Sequence, residues 1–478
     1  MKRRSFIKLA SAGVGTVALS RCARQCATAP QRVISQDGLL EVDLTAMPSV
    51  HRLGHRRAQL MTYNAQLPGP VLELQPGDTV RIHFTNRLAQ PTNLHFHGLH
   101  IPPTGTGDNP FLEIPPGEAW TYEFQLPANH PAGLGWYHPH YHGRVAEQVF
   151  AGLAGPLILR GDFDAIPEIQ AAPEQLLVLK DFGLTRNGQV ADPSPLFRRW
   201  GREGDLLTVN GQLRPDYRLT AGQLHRLRLL NASTSKIFRL TLSEHSLYLA
   251  ATDGRSLAAP VAVSEVVLAP GERAEVLVLG DRAPGSYALL SQPYDRGIAK
   301  MLSEPLETAV LATFTYADTY TDTYTGADTD AAQPARSSAL PKRLLPVESL
   351  PDPVATREFI LDHGIDHSSG AQFIINGKAY DHSRVDTQVK LGTVEDWVIV
   401  NRASMDHPFH LHTNHFQVLA RNGEPAAVRA WKDTLNLRAY ETAKLRVRFA
   451  DYPGETVYHC HILDHEDQGM MGVIEMQA

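Results

Sequence analysis

The sequence predicts an all-β protein made of three β-sandwich domains. Three observations predict it: one strand-and-turn phrase is written three times, Pro/Gly turns close each copy, and helical periodicity is almost absent between them. A chain of 478 residues has room for about three domains of ~150 residues each. Its 43% hydrophobic and 20% charged residues are globular values, which excludes a fibrous, disordered or membrane-spanning chain.

The N-terminus reads as an address. Lys2-Arg3-Arg4-Ser5-Phe6-Ile7-Lys8 precedes an apolar run from Leu9 to Ser20. That run is shorter than the ~20 residues a bilayer needs and fits a secretory signal. The arginine pair resembles twin-arginine export signals, and Ala27-Thr28-Ala29 fits a cleavage site, so residues 1–29 are expected to be a signal peptide. Leu19-Ser20-Arg21-Cys22 resembles a lipoprotein box, but Arg beside Cys argues against lipidation. Without residues 1–29, Lys and Arg fall from 45 to 39 against 51 acids, and the net charge moves from -6 to -12. A chain this acidic has no general attraction for nucleic acid or anionic lipid. The expectation is an exported protein, periplasmic or secreted, with no membrane span and a monomeric state.

Three copies follow. Leu67-Pro68-Gly69-Pro70 leads to Gly77-Asp78-Thr79 and a strand ending at Asn86. Val209-Asn210-Gly211 leads to Gly222 and a strand ending at Asn231, and Ile375-Asn376-Gly377 leads to Gly392 and a strand ending at Asn401. The period-two alternation reads each as a half-buried strand. A second phrase, Pro116-Gly117-Glu118 or Pro270-Gly271-Glu272, with Tyr440-Glu441 in the third copy, precedes another strand. A Gly turn then opens a strand bearing Tyr137, Tyr287 or Tyr458. The copies place domains at 31–162, 163–316 and 351–478. Residues 317–350, following Tyr316 and rich in Thr, Asp, Ala and Pro, read as a linker or surface loop.

Of 22 His, ten fall in four motifs: His95-Phe96-His97, His138-Pro139-His140, His407-Pro408-Phe409-His410-Leu411-His412, and His459-Cys460-His461 with His465. The other twelve are scattered. His100, His142 and His415 lie near the motifs, but proximity alone makes no ligand. The motifs occupy the first and third copies, where the second has Ser291-Gln292-Pro293-Tyr294-Asp295. This implies a metal site between domains 1 and 3, with domain 2 as a spacer or brace. Alternate strand residues face opposite ways, so His459 and His461 face away from Cys460. Two metal sites can then share three consecutive residues. The thiolate site has His465, a methionine and a further His for partners, and spacing favours Met470 over Met471. Two imidazoles, a thiolate and a weak thioether are a blue-copper set. A closed structural zinc site needs only four ligands, and a Cys-His nucleophile leaves most motif histidines unexplained.

These motifs resemble the multicopper oxidases, across essentially the whole body of the chain and nearest to three-domain bacterial laccases. The phrases that carry the likeness are His-Phe-His-Gly-Leu at 95–99, Trp-Tyr-His-Pro-His at 136–140, the 407–412 motif, and His459 through Met470. The resemblance implies cupredoxin-like Greek-key domains holding four coppers. By it, His407, Cys460, His465 and Met470 match the type 1 ligands, and His95 and His410 the type 2 ligands. His97, His138 and His461 match one type 3 site; His140, His412 and His459 match the other. Asp108 and Glu466 match the family's acidic, proton-supplying positions. The implied partners are a small-molecule reductant and dioxygen. The stretch Tyr294 to Ala339 holds only Met301, which argues against a Met-rich cuprous oxidase and for organic reductants. Copper-free cell-division scaffolds of this fold have lost ligands, and none is lost here.

Overall fold

A computed structural model describes residues 30–297, 307–317, 339–366 and 370–478. The expected signal segment and residues 318–338 of the expected linker lie outside the described residues. The four helices among the described residues are short, and Val145–Phe150, with six residues, is the longest. Everything else regular is strand, as the sequence predicts.

The strands form six sheets, two in each third of the chain. In the first third, five strands (Arg32–Ile34, Val71–Leu74, Gly155–Leu159, Gly133–His138, His95–His97) face four (Arg56–Tyr63, Leu39–Leu53, Thr79–Asn86, Ala119–Gln125). Leu72, Phe84, Phe96, Tyr122 and Tyr137 fill the space between them. The middle third packs sheets of six and five strands around Leu229, Leu240, Val276 and Phe314. The last third packs seven and five around Phe359, Trp397, Phe409 and Tyr458. Alternation explains the surface strands: Thr442–Phe449 buries every second residue.

The threefold repeat is a hydrogen-bonding device as well as a pattern. Asn86, Asn231 and Asn401 end equivalent strands, and all three are buried. Each side-chain oxygen accepts from the main-chain N–H two residues on, at Leu88, Ser233 and Ala403. Each amide then donates to distant carbonyls: Gln90 and Ile114, Lys236 and Leu268, or Met405, Leu437 and Arg438. A second asparagine device pins the preceding turn. Asn210 and Asn376 sit at φ 50° and 53°, and each bonds both ways to the neighbouring strand. The first copy's counterpart is Asn64, at φ 51°, bonded to Thr45 and Asp43. Leu67-Pro68-Gly69-Pro70, aligned with these turns on its glycine, lies just beyond that position.

Two further expectations are corrected. Leu224–Asn231 is buried on both faces. Its Arg226 and Arg228 are buried in ion pairs with Asp164, Glu174 and Glu275, the pairing that burial of charge requires. Ala317, read as the first residue of a linker, instead ends the strand Ala309–Ala317, in which Tyr316 is buried and bonds His245. Within 339–350, Leu344 and Leu350 are buried, so this part packs on the domains instead of looping into solvent.

Candidate metal centre

Strand pairing brings the motifs together two by two. In the first domain His95 lies opposite His138, and His97 opposite Trp136. In the last, His410 lies opposite His459, and Phe409 opposite Cys460. Phe96, between the two histidines, points into the first core. Cys460 points into the last core with Met470 and Ile462. The two faces of each strand thus divide the labour, as the period-two argument requires.

The domains then close on each other. His95 Nε2 lies 3.3 Å from His410 Nε2, and His140 Nε2 lies 3.2 Å from His459 Nε2. His412 Nε2 is 3.1 Å from the same His459 nitrogen. His95 stacks on His412 at 3.7 Å, and His97 on His410 at 3.8 Å. His461 completes the cluster, its ring 5.1 Å from His97 and 5.6 Å from His138. On the opposite side, Cys460 Sγ lies 3.4 Å from His407 Nδ1 and 3.8 Å from His465 Nδ1. Met470 packs in the same core cluster as Cys460, whereas Met471 opens the next strand opposite His459.

Several donor sets lie within 4.8 Å of one another and could hold a metal: His407/Cys460/His465, His140/His412/His459, His95/His97/His138 and His95/His410/His412. All are buried. Burial drives the imidazoles of His95, His97, His138, His140 and His412 well below their usual pKa, and His410 to about 3, so these stand as neutral donors. It also pushes the Cys460 thiol up. His138 Nε2, both nitrogens of His461, and His97 Nδ1 are buried without hydrogen-bond partners. Unsatisfied buried groups cost ~1–3 kcal/mol each, so this many converging lone pairs fit a set of soft or borderline cations.

Both predicted carboxylates reach the cluster. Asp108 is 1% exposed; its oxygens lie 2.9 Å from His95 Nδ1, and one accepts from the Phe96 N–H at 2.8 Å. Glu466 is fully buried, 3.1 Å from His459 Nδ1 and 3.4 Å from His140 Nε2. Neither is a surface acid. Glu466 and His465 ride on the short helix Leu463–Asp467, which is fastened to the other two domains. Asp467 accepts from the N–H groups of Gly143, Val145 and Ala146, at the start of the helix Val145–Phe150. Asp464 takes the guanidinium and N–H of Arg202, and Leu463 donates to Thr234.

Sequence reasoning missed Asp433. It lies 2.9 Å from His97 Nε2, 3.7 Å from His410 Nδ1 and 3.5 Å from His415 Nε2. Burial alone would raise its pKa, but Arg273 holds it well below the usual range through bonds of 2.7 and 2.6 Å. The signal was present as Lys432-Asp433, two adjacent charged residues set between the apolar Trp431 and Leu435. The middle domain is more than a spacer. Its Gly271, at φ 83°, leaves no room for a side chain: a Cβ there would lie 2.9 Å from the His461 ring. The equivalent Gly117 meets nothing.

Comparison with known proteins agrees with this geometry. Multicopper oxidase family profiles match residues 45–163, 187–317 and 353–478. The chain belongs to the multicopper oxidase family, whose three-domain cupredoxin fold it adopts. Membership implies a copper-binding oxidoreductase that uses oxygen. Among relatives, the chain is 31% identical to multicopper oxidase mco of Staphylococcus haemolyticus over 426 residues, 87% of this chain and 83% of that one. It is 32% identical to the cell division protein FtsP of Yersinia pestis over 432 residues, 88% and 85% of the two chains. A multicopper oxidase from Campylobacter jejuni, described as a metallo-oxidase, superposes with a TM-score of 0.81 at 30% identity, covering 96% of this chain and 98% of that one. No helix among the described residues is long and apolar enough to cross a membrane.

Proposed function

We propose that the protein is a laccase-type oxidase. It couples one-electron oxidation of phenolic or other organic reductants to the four-electron reduction of dioxygen to water. The observation that carries this reading is the split at 459–461: Cys460 faces one donor set while His459 and His461 face another. A donor-side site and an oxygen-side cluster are thereby joined by adjacent residues.

In this reading four coppers supply one-electron redox chemistry and oxygen binding. His407, Cys460, His465 and Met470 hold the type 1 ion. His95 and His410 hold type 2. His97, His138 and His461 hold one type 3 ion, and His140, His412 and His459 the other. The neutral imidazoles need no deprotonation to bind, and Cys460 releases its thiol proton on metallation. Asp108 and Glu466, each against cluster histidines, move protons toward the oxygen being reduced. The export signal puts the protein in the periplasm or outside the cell, by the twin-arginine route.

The organic reductant is favoured by composition. Between Tyr294 and Ala339 the chain holds only Met301, so it lacks the Met-rich stretch that would suit cuprous ions. A metallo-oxidase is the second reading, favoured by the likeness to the Campylobacter protein. A copper-free scaffold, raised by the FtsP likeness, is disfavoured by the complete ligand set.

Copper analysis, visible absorption and oxygen uptake with 2,6-dimethoxyphenol, cuprous and ferrous donors test the proposal. The expected result is four coppers per chain, a blue protein, and faster turnover on the phenol. Copper-loaded protein that consumes no oxygen with phenols would overturn it.

A further inference from the structure

We propose that the electron donor docks on the surface segment at residues 195–200, and that the donor this surface prefers is an aromatic anion. The inference rests on the laccase reading and adds a substrate class and two specificity residues to it.

His465 has one nitrogen toward Cys460 and the other occupied. Its Nε2 lies 3.0 Å from the main-chain carbonyl of Arg199, and its ring stacks on Phe373 at 3.9 Å. A donor therefore does not touch this nitrogen. It meets the segment that covers it, and the electron crosses one hydrogen bond from the Arg199 peptide to the imidazole. That segment reads Pro195-Leu196-Phe197-Arg198-Arg199-Trp200. Trp200, beneath, packs on the core cluster that holds Cys460 and Met470.

The outer face carries an unusual pair. Leu196 and Phe197 are 60% and 61% exposed, the one adjacent pair of large apolar side chains so exposed among the described residues. Beside them the charges are mostly committed. Arg198 is paired with Asp192, Arg296 with Glu203, and Arg202 with Asp464. Asp406, next to His407, is held by Tyr294 and Asn436. Arg199 is exposed and has no ion-pair partner among the described residues. Its charge and the opposite charge of Asp362 both reach His363, whose ring lies 5.6 Å from His407. An exposed phenyl ring offers stacking, and an uncommitted guanidinium offers a planar, bidentate anion site. Together they select a phenol bearing a carboxylate or sulfonate over a neutral phenol, and repel cuprous and ferrous ions.

The chemistry balances within the proposed activity. Each donor loses one electron and its phenolic proton, leaving a phenoxyl radical; the proton goes to solvent. Four such electrons and four protons reduce one dioxygen to two waters.

The test uses copper-loaded protein. Syringate and 2,6-dimethoxyphenol share one ring and differ in a carboxylate. Arg199→Glu is expected to raise KM for syringate about tenfold with kcat unchanged, and to leave KM for dimethoxyphenol within twofold. Phe197→Ala is expected to raise both. Calorimetry with naphthalene-2-sulfonate, which is not oxidised, is expected to show binding to the wild type that Arg199→Glu weakens about tenfold. Wild type that oxidises neither phenol overturns the laccase reading, and calorimetry then still judges the docking site. Wild type that oxidises both phenols, with both constants unmoved in the variants, or that fails to bind the sulfonate, overturns the docking proposal and leaves the laccase reading standing.

Discussion

Arg273→Met tests how the three domains are held around the cluster. The guanidinium is fully buried and pairs bidentately with Asp433, whose side chain is 2% exposed. It also donates to the carbonyls of Leu134 and Gly271. One side chain of the middle domain thus ties the first domain to the last. Removing one partner of a buried pair costs ~3–5 kcal/mol, because the other charge is left buried and unpaired. Two carbonyls losing a donor add ~1 kcal/mol each. A loss of about 5 kcal/mol or more is expected, against a whole-protein stability of ~5–15 kcal/mol. Guanidinium denaturation of the copper-free protein, followed by tryptophan fluorescence, measures it. Copper content after loading should fall as well, since Asp433 sits against His97. Arg273→Met with Asp433→Leu should recover at least half the loss, because the unpaired charge is gone. A single variant that loses less than ~1 kcal/mol, or a double variant less stable than the single, would refute the reasoning.

Four other outcomes are expected. Cys460→Ser should abolish the intense blue absorption while copper analysis still finds metal in the imidazole cluster. Glu466→Gln should slow oxygen reduction by ~10² or more, without slowing anaerobic bleaching of the blue site by donor. Asn401→Ala strips the donor from the carbonyls of Met405, Leu437 and Arg438, so the melting temperature should drop by an amount reflecting ~2–3 kcal/mol. Acid should unfold the copper-free protein early. Burial lowers His130, His225 and His410 to about 3, 4 and 3, so below pH 6.5 the unfolded chain binds more protons than the folded one. That stability is whole above pH 6.5 and drains as pH falls toward 3; these three alone cost about 4 kcal/mol at pH 5.5. A flat stability profile between pH 7 and 5 would count against neutral burial.

The histidine motifs could be read in the sequence because side chains that converge on one site from a strand must recur every second residue. His459 and Cys460 show how strictly the rule holds, since adjacent residues end in different sites. The fold class was readable for a similar reason: turns and alternation repeat. What escaped was anything fixed by distant neighbours. Leu224–Asn231 reads as a half-exposed strand only while the acids that receive Arg226 and Arg228 are out of view. Asp433 is one acid among 51 acidic residues until Arg273, 160 positions away, comes to meet it. The Leu67-Pro68-Gly69-Pro70 phrase carries the glycine, while the equivalent function belongs to Asn64, whose side chain bonds the neighbouring strand both ways.

The closing contacts of the cluster join positions 315 and 319 residues apart, His95 to His410 and His140 to His459. Contacts of such separation pay their loop-closure entropy late, after each sandwich has its own core. The histidine cluster therefore cannot close until His459 has been made. A chain that stops before residue 407 has the first domain's histidines but nothing to pair them with. Under the proposed function, copper capture would act as a seal of completion: a metal held across the two domains would certify that both had been made and docked.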